Sequence, residues 1–224
     1  MLFSQPGGVR WSTYAEVSPL IMRWHYSGAV PTGRNEFMVY DGAHEPYAAA
    51  VFGWGVNPYQ ESYLSRVLGR TVTRDSCMEL KRLARVEPAD PALPLTRFLA
   101  KAHRLLLRKF GVRYVIAFAD PGEGHTGGIY NAANYAYAGV TEAERHCIDA
   151  SGAPVHRRMA YRHSKRHACS IAESRALLGL SVVKTAPKHR WLIDLRSDLR
   201  REIPDLPLRA TSAPRTSLLL RSHA

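Results

Sequence analysis

One stretch of the sequence, ADPGEGHTGGIYNAANY at residues 119–135, places several chemically active side chains close together in the chain. Asp120 ends an apolar run that is typical of a buried strand, His125 lies between glycines, and Tyr130 opens a predicted helix. Ligands of open α/β sheets bind where strands end. An Asp or His can accept a proton there and a Tyr can donate one, so the stretch predicts acid–base chemistry.

Each of these residues also has an ordinary structural interpretation. Asp-Pro-Gly is good turn chemistry, so Asp120 could cap the following turn. His125 could be a surface histidine, and Tyr130 could be a buried core aromatic. Asn134 follows Tyr130 by four residues and would share its helical face. We assign Asn134 and Gly127, in the preceding loop, to substrate binding.

Two other segments carry candidate residues. WHYSG, at residues 24–28, places His25, Tyr26 and Ser27 before a small turn. ELKRLARV, at residues 79–86, alternates as a strand does, so Glu79 and Arg82 should lie on opposite faces. Arg82 could hold a phosphate or carboxylate with its planar fork. The alternative is an exposed ion pair on a half-exposed sheet.

The surrounding sequence predicts the elements that position these residues. Residues 93–111 show helical spacing, with Pro94 suited to the first turn and Gly111 to the position after the end. Strands are predicted at 36–55 (two, joined by a turn), 77–86, 112–120, 155–161 and 188–195, and a short helix at 127–137. This order predicts an α/β fold with a single mixed-sheet domain, similar to the core of GNAT acyltransferases.

The chain carries a net charge of +12, and the excess is concentrated towards its end. Residues 157–224 contain 15 Lys or Arg and five Asp or Glu. We expect a GNAT-like domain over residues 1–200, basic from about 157, and a loosely ordered, Pro/Ser-rich basic tail over 201–224. The clustering favours a nucleic-acid partner. The candidate contacts are Arg158, Arg162, Lys165, Arg166, Lys188 and Arg190.

Composition and absent motifs exclude several classes. Hydrophobic residues make up 46% of the chain, no apolar run reaches the length of a membrane helix, and no signal peptide is evident, so we expect a cytoplasmic protein without a membrane partner. The three cysteines have no CxxC spacing, which argues against a disulfide framework or a cysteine zinc site. RVEPADPALP, at 85–94, lacks the glycines with which a GNAT enzyme holds the CoA pyrophosphate, so acetyl-CoA is a doubtful donor.

Taken together, ELKRLARV and RYVIAFADPGEGHTGGIYNAANYAYAG resemble the Mom family of phage DNA-modification proteins. The likeness covers residues 77–139, and WHYSG and KHRWLIDL, at 188–195, extend it. The family, which looks like a divergent GNAT fold, converts DNA adenine to N6-carbamoylmethyladenine and protects phage DNA from restriction. By this resemblance Arg82, Asp120, Tyr130 and His25 match important positions.

The resemblance implies a set of roles. Asp120 or a histidine, His25 or His125, would take the proton of adenine N6. Tyr130 would assist the leaving group, and Arg82 would anchor the donor or a DNA phosphate. Tyr26 and Ser27 would bind substrate. The target base would be flipped out of the duplex, in a bacterial host cell.

The donor follows from the product, whose side chain has the atoms of glycine amide. We therefore favour glycyl-tRNA, which would make tRNA a second nucleic-acid partner. A metal-dependent redox route stays open, although no metal-ligand spacing supports it and no metal ligand is assigned. The rival functions are an acetyl-CoA-dependent acyltransferase and a non-catalytic nucleic-acid-binding protein.

Overall fold

The computed structural model describes residues 7–54, 58–143, 145–155 and 158–207. These residues fall into two compact units. The larger unit contains the described residues up to Ala119, the segment Thr126–Val140 and the described residues from His189 onward. The smaller unit contains Asp120–His125 and Thr141–Lys188.

The larger unit is built on a seven-stranded sheet. Its strands are β1 (Val9–Ser12), β2 (Asn35–Asp41), β3 (Pro46–Trp54), β4 (Cys77–Arg85), β5 (Tyr114–Ala119), β6 (Ala136–Val140) and a last strand, His189–Asp194, which is β10 in chain order. The strand order is β1-β2-β3-β4-β5-β10-β6. Only β4 and β5 pair in parallel, which confirms the predicted α/β fold with a mixed sheet.

Five helices belong to the larger unit: α1 (Tyr14–Trp24), α2 (Pro58–Leu68), α3 (Leu95–Phe110), α4 (Gly128–Ala132) and, last in the chain, α7 (Leu199–Glu202). The predicted helix at 93–111 is confirmed as α3, which follows Pro94 and ends at Gly111 with a φ of 67°. Its buried residues, among them Phe98 and Leu106, recur at helical spacing and pack on one face of the sheet. Val17 and Ile21 of α1 pack in a cluster with residues of β2, β3 and β4.

The smaller unit contains the three-stranded sheet β8-β7-β9, with β7 at Arg145–Ile148, β8 at Pro154–Val155 and β9 at Ser181–Lys184. Two helices, α5 (Arg158–His167) and α6 (Ile171–Leu177), complete it. The predicted strand at 155–161 is therefore wrong beyond Val155. Ala160 is buried within α5, and its carbonyl accepts a hydrogen bond from Ser174 Oγ, which holds that helix against α6.

Other predicted elements need smaller changes. The two strands within 36–55 are confirmed as β2 and β3, and those at 77–86, 112–120 and 188–195 as β4, β5 and β10. The short helix predicted at 127–137 ends at Ala132, because the chain turns there and enters β6. Of the predicted tail, Ile203 and Leu206 are buried in a core cluster, and residues 208–224 lie outside the described part of the chain. No helix in the described ranges is long and apolar enough to cross a membrane.

Candidate functional site

The predicted site residues are divided between the two units. The larger unit holds His25, Tyr26, Ser27, Arg82, Gly127, Tyr130, Asn134 and Arg190, and the smaller unit holds Asp120, His125, Arg158, Arg162, Lys165, Arg166 and Lys188.

Tyr130 lies in the first turn of α4 and is half-buried against other aromatic side chains. Its ring centroid lies 5.4 Å from that of Tyr135 and 6.4 Å from that of Trp191. Burial raises the pKa of the Tyr130 phenol, and the nearby phenol of Tyr26 raises it further. The hydroxyl is therefore protonated near neutral pH, so it can donate a hydrogen bond but is not a general base.

Gly127 precedes α4 in a conformation that only glycine adopts easily, with a φ of 86°. A Cβ at this position would overlap the indole of Trp191, which lies on β10. The indole N–H is buried and has no hydrogen-bond partner in the described residues. Gly127 thus allows the loop to lie directly against the sheet. This close approach fixes the start of α4 and therefore the position of Tyr130.

His25 and Tyr26 form the start of the turn that follows α1. The two rings stack with centroids 4.4 Å apart. The backbone N–H of Ser27 donates to Nδ1 of His25 at 3.1 Å, so in the neutral ring the proton belongs on Nε2. Tyr26 also raises the pKa of Tyr130 by its charge, as a lesser cause than burial.

The strand motif contains a β-bulge that the sequence pattern conceals. Lys81 is an extra residue in β4, because Glu79 pairs with Gly53 and Arg82 pairs with Val51. These two partners are two positions apart on β3 and share a face of the sheet. Glu79 and Arg82 therefore lie on the same face, which corrects the prediction of opposite faces.

Both basic residues of the bulge hold the loop that follows α1. Arg82 donates from Nε to the carbonyl of Ala29 at 3.0 Å. Lys81 donates to the Asn35 side chain at 3.2 Å, and Asn35 in turn donates to the carbonyl of Pro31. Arg82 thus uses part of its donor set within the protein and fixes the turn that carries His25. Nothing in the strand pattern marks the bulge, so the contact that Lys81 makes could not be predicted from the sequence.

Asn134 does not lie where the helical spacing places it. α4 ends at Ala132, and Asn134 has a φ of 65°, outside the helix. Its side chain is exposed and lines a cavity of about 230 Å³ together with residues of α3 and β10. The predicted common face with Tyr130 is therefore wrong, because the chain reverses before the fourth residue.

In the smaller unit, Asp120 caps the turn that follows β5. Its carboxylate accepts the N–H of Gly122 at 3.0 Å and forms an ion pair with Lys188 at 3.2 Å. The Asp120 carbonyl accepts the N–H of His125, an exposed residue, at 3.0 Å. The turn-cap interpretation of Asp120 is thus confirmed, and the capped carboxylate still has a cation beside it.

The basic residues predicted to bind nucleic acid form two groups. Arg158, Arg162, Lys165 and Arg166 are exposed on α5, which contains no acidic residue. Helical spacing places Arg158, Arg162 and Arg166 along one stripe, with Lys165 beside it. We call these four residues the α5 stripe.

The other two predicted contacts have internal partners. Lys188 pairs with Asp120. Arg190 is 2% exposed, lies 3.8 Å from the ring centroid of Tyr63 and donates to the carbonyl of Ala138. Strand alternation turns Arg190 into the core, so its assignment to nucleic-acid binding is wrong.

No group of three or more His, Cys, Asp or Glu in the described ranges is arranged to hold a metal ion.

Comparison with known proteins adds a family. Residues 9–212 match the model of the Mom protein family. No curated protein matches the chain.

Among solved structures, the chain is similar to a Bacillus subtilis acetyltransferase in complex with CoA, with 11% identity and a TM-score of 0.45 over 83% of this chain and 97% of that one. It is also similar to a spermidine N-acetyltransferase mutant from Vibrio cholerae, with 7% identity and a TM-score of 0.49 over 87% of this chain and 99% of that one. An IAA acetyltransferase from Bacillus cereus is similar with 9% identity and a TM-score of 0.44 over 84% of this chain and 98% of that one. Identities and scores at this level say nothing about activity.

Proposed function

The chain belongs to the Mom protein family, and we propose that it converts adenine in DNA to N6-carbamoylmethyladenine. The observation that carries the proposal is the Tyr130 phenol, held at the start of α4 against the Tyr135 and Trp191 rings and at a position that the family resemblance marks. A preorganised donor of this kind stabilises the oxygen on which negative charge develops during acyl transfer. Tyr130 is the proposed donor.

The first step is transfer of a glycyl group from glycyl-tRNA. The lone pair of adenine N6 attacks the ester carbonyl carbon, the bond from that carbon to the tRNA ribose oxygen breaks, and the ribose oxygen takes a proton. Adenine N6 is a weak nucleophile because its lone pair is delocalised into the ring, so its proton must leave as the bond forms. The resemblance gives that proton to Asp120 or a histidine, and substitution of Asp120 tests the assignment.

The second step converts the glycyl amide into the product. The α-amine attacks C6 of adenine, and the bond between C6 and the original N6 breaks. The glycine nitrogen is then bonded to the ring, and the original N6 becomes the nitrogen of the carbamoyl group. No oxidant, reductant or second donor is consumed.

Two nucleic-acid substrates need a cationic surface, and the α5 stripe is the proposed one. Its residues are exposed, and α5 itself contains no acidic residue. Lys and Arg contacts to phosphates bind without sequence readout and release counterions. Recognition of the adenine itself then requires that the base leaves the stack.

The proposed function is tested by nucleoside mass spectrometry of plasmid DNA from cells that express the protein. We expect a deoxyadenosine species heavier by about 57 Da, the mass added when carbamoylmethyl replaces hydrogen on a base taken out of the stack. The Tyr130→Phe protein is the matched control. Unmodified nucleosides from a soluble, well-expressed protein would exclude the proposal and favour a non-catalytic nucleic-acid-binding protein.

The donor is tested with purified protein, DNA and glycyl-tRNA that carries ¹⁵N-glycine. The two-step route places the label on the nitrogen bonded to the ring, so alkaline hydrolysis of the carbamoyl group releases unlabelled ammonia. Labelled ammonia would contradict the rearrangement. Modification with acetyl-CoA and none with glycyl-tRNA would replace the proposed donor.

A further inference from the structure

A tight turn connects Tyr130 to the next strand. The backbone N–H of Tyr135 donates to the carbonyl of Tyr130 at 3.0 Å, and Asn134 adopts a positive φ between them. This reversal brings the Tyr135 ring against that of Tyr130, with centroids 5.4 Å apart. The position of the Tyr130 phenol therefore depends on what holds Tyr135.

The hydroxyl of Tyr135 is held from α3 by a histidine that the sequence motifs do not include. Nε2 of His103 lies 2.8 Å from this hydroxyl. Tyr135 belongs to the main core cluster, and His103 is also buried. Burial lowers the pKa of His103 to about 3, so the imidazole is neutral. A polar pair in an apolar core costs free energy that a Leu or Phe would not cost, so its presence calls for a reason beyond packing.

The backbone of the same turn is held from the opposite end of the chain. Arg200, on α7, donates to the carbonyl of Tyr135 from Nε at 3.1 Å and from Nη2 at 2.7 Å. Nη2 also donates to the carbonyl and the side-chain oxygen of Asn131, at 2.7 and 3.0 Å. The planar guanidinium thus joins the end of α4 to the start of β6.

We propose that His103 and Arg200 are positioning residues that set the Tyr130 phenol for the reaction, by holding the hydroxyl and the carbonyl of Tyr135. The inference rests on the proposed function, in which Tyr130 is the donor. It also assigns Arg200, an exposed residue in the most basic part of the sequence, to holding the turn after α4 rather than to nucleic-acid binding. An error of about 1 Å in such a group can lower a rate by roughly 100-fold.

Arg200 has a matched control in its neighbour. The side chain of Arg201 is 89% exposed and pairs only with Asp198 among the ion pairs of the described residues. Arg200→Lys and Arg201→Lys make the same chemical change and leave the net charge equal. Lysine at 200 cannot reach all the acceptors that the fork holds.

We expect Arg200→Lys to lower the single-turnover rate of adenine modification by about 10-fold or more, with DNA affinity unchanged. Arg201→Lys should modify DNA at the wild-type rate. Equal rates for the two variants, or a loss in Arg200→Lys that follows only the folded fraction, would overturn the inference.

His103 is tested by removing the polar pair as a unit. His103→Leu alone leaves a buried hydroxyl without its partner and could unfold the protein. The double variant His103→Leu, Tyr135→Phe replaces both partners with apolar groups and should stay folded. We expect it to lose rate about as much as Tyr135→Phe does. A double variant with wild-type rate would show that the pair has only a structural role.

A readout independent of activity separates this inference from the proposed function. 3-Fluorotyrosine placed at position 130 reports the environment of the phenol by ¹⁹F NMR. The resonance should shift or broaden in Arg200→Lys and in the double variant, and stay unchanged in Arg201→Lys. Wild-type protein that leaves DNA unmodified would refute the function, whereas an unchanged resonance in all variants would refute the positioning roles.

Discussion

Replacement of Gly127 by alanine should destabilise the protein by an amount that the structure divides into two parts. The φ of 86° costs an alanine roughly 1–2 kcal/mol, the usual penalty for a left-handed residue with a Cβ. The new methyl would also overlap the Trp191 indole, and overpacking of this kind costs roughly 1–3 kcal/mol. The sum is about 2–5 kcal/mol, a large share of the stability of a natural domain.

Gly124 provides the control for the first part. Its φ is 74°, and no atom lies within 4 Å of a Cβ built on it. Gly124→Ala should therefore lose only the backbone term, about 1–2 kcal/mol. The difference between the two variants, measured by urea unfolding, gives the cost of the overlap with Trp191.

The same substitution in a protein that lacks the Trp191 indole measures how much of the cost the indole causes. In a Trp191→Leu protein, Gly127→Ala should cost only as much as Gly124→Ala, since the side chain that it overlaps is gone. The folded fraction of Gly127→Ala should also modify DNA poorly, because the start of α4 moves and carries Tyr130 with it. Equal unfolding free energies for Gly127→Ala and Gly124→Ala in the wild-type background would refute the close approach.

Three further predictions concern the site. Tyr130→Phe removes the donor hydroxyl and should lower modification by roughly 100-fold or more, without a change in DNA affinity; single-turnover assays on folded protein check it, and a rate within a few-fold of wild type contradicts the role. Asp120→Asn keeps the shape of the turn cap and removes the charge. If Asp120 accepts the proton, modification should fall by a similar factor. If Asp120 only caps the turn, activity should stay near that of the wild type. Charge reversal at Arg162, Lys165 and Arg166 should flatten the dependence of DNA affinity on salt concentration, and an unchanged slope would exclude the α5 stripe.

The sequence predicts the central elements because each has a strong local signal. α3 combines helical spacing with Pro94 and Gly111 at its ends, and the structure has the same limits within two residues. β5 is a short apolar run that ends in turn residues. Such signals depend on the chain near each element and need no knowledge of its partners.

The bulge and the course of the chain after α4 could not be predicted in this way. The alternation in ELKRLARV is regular, and Lys81 becomes an extra residue only because Gly53, on the neighbouring strand, leaves room for its side chain. Asn134 leaves the helical path because the chain must reverse into β6. The deciding contacts lie far along the chain, because Lys81 lies against Gly53 and β6 pairs with β10.

Of the residues at the proposed proton-donor site, some could be recognised in the sequence and others could not. Tyr130 stands out in the sequence by its place after a glycine-rich loop, whereas His103 looks like one more residue of an amphipathic helix. It lies between Ala102 and Leu106 on the buried side of α3. A histidine there is equally consistent with a core residue, and only its 2.8 Å contact with the Tyr135 hydroxyl indicates a link to Tyr130.

Not all of the chain's positive charge is available to a polyanion, because several basic side chains hold backbone carbonyls instead. Arg82 holds Ala29, and Arg190 holds Ala138 in the core. Arg200 holds the turn after α4. If the α5 stripe makes the phosphate contacts, about four counterions are released, and the slope of log affinity against log salt should be near −4 rather than the steeper value that all the basic residues of the last third would give. A slope near this value would support the α5 stripe as the proposed DNA-binding surface, and a much steeper one would point to further basic residues.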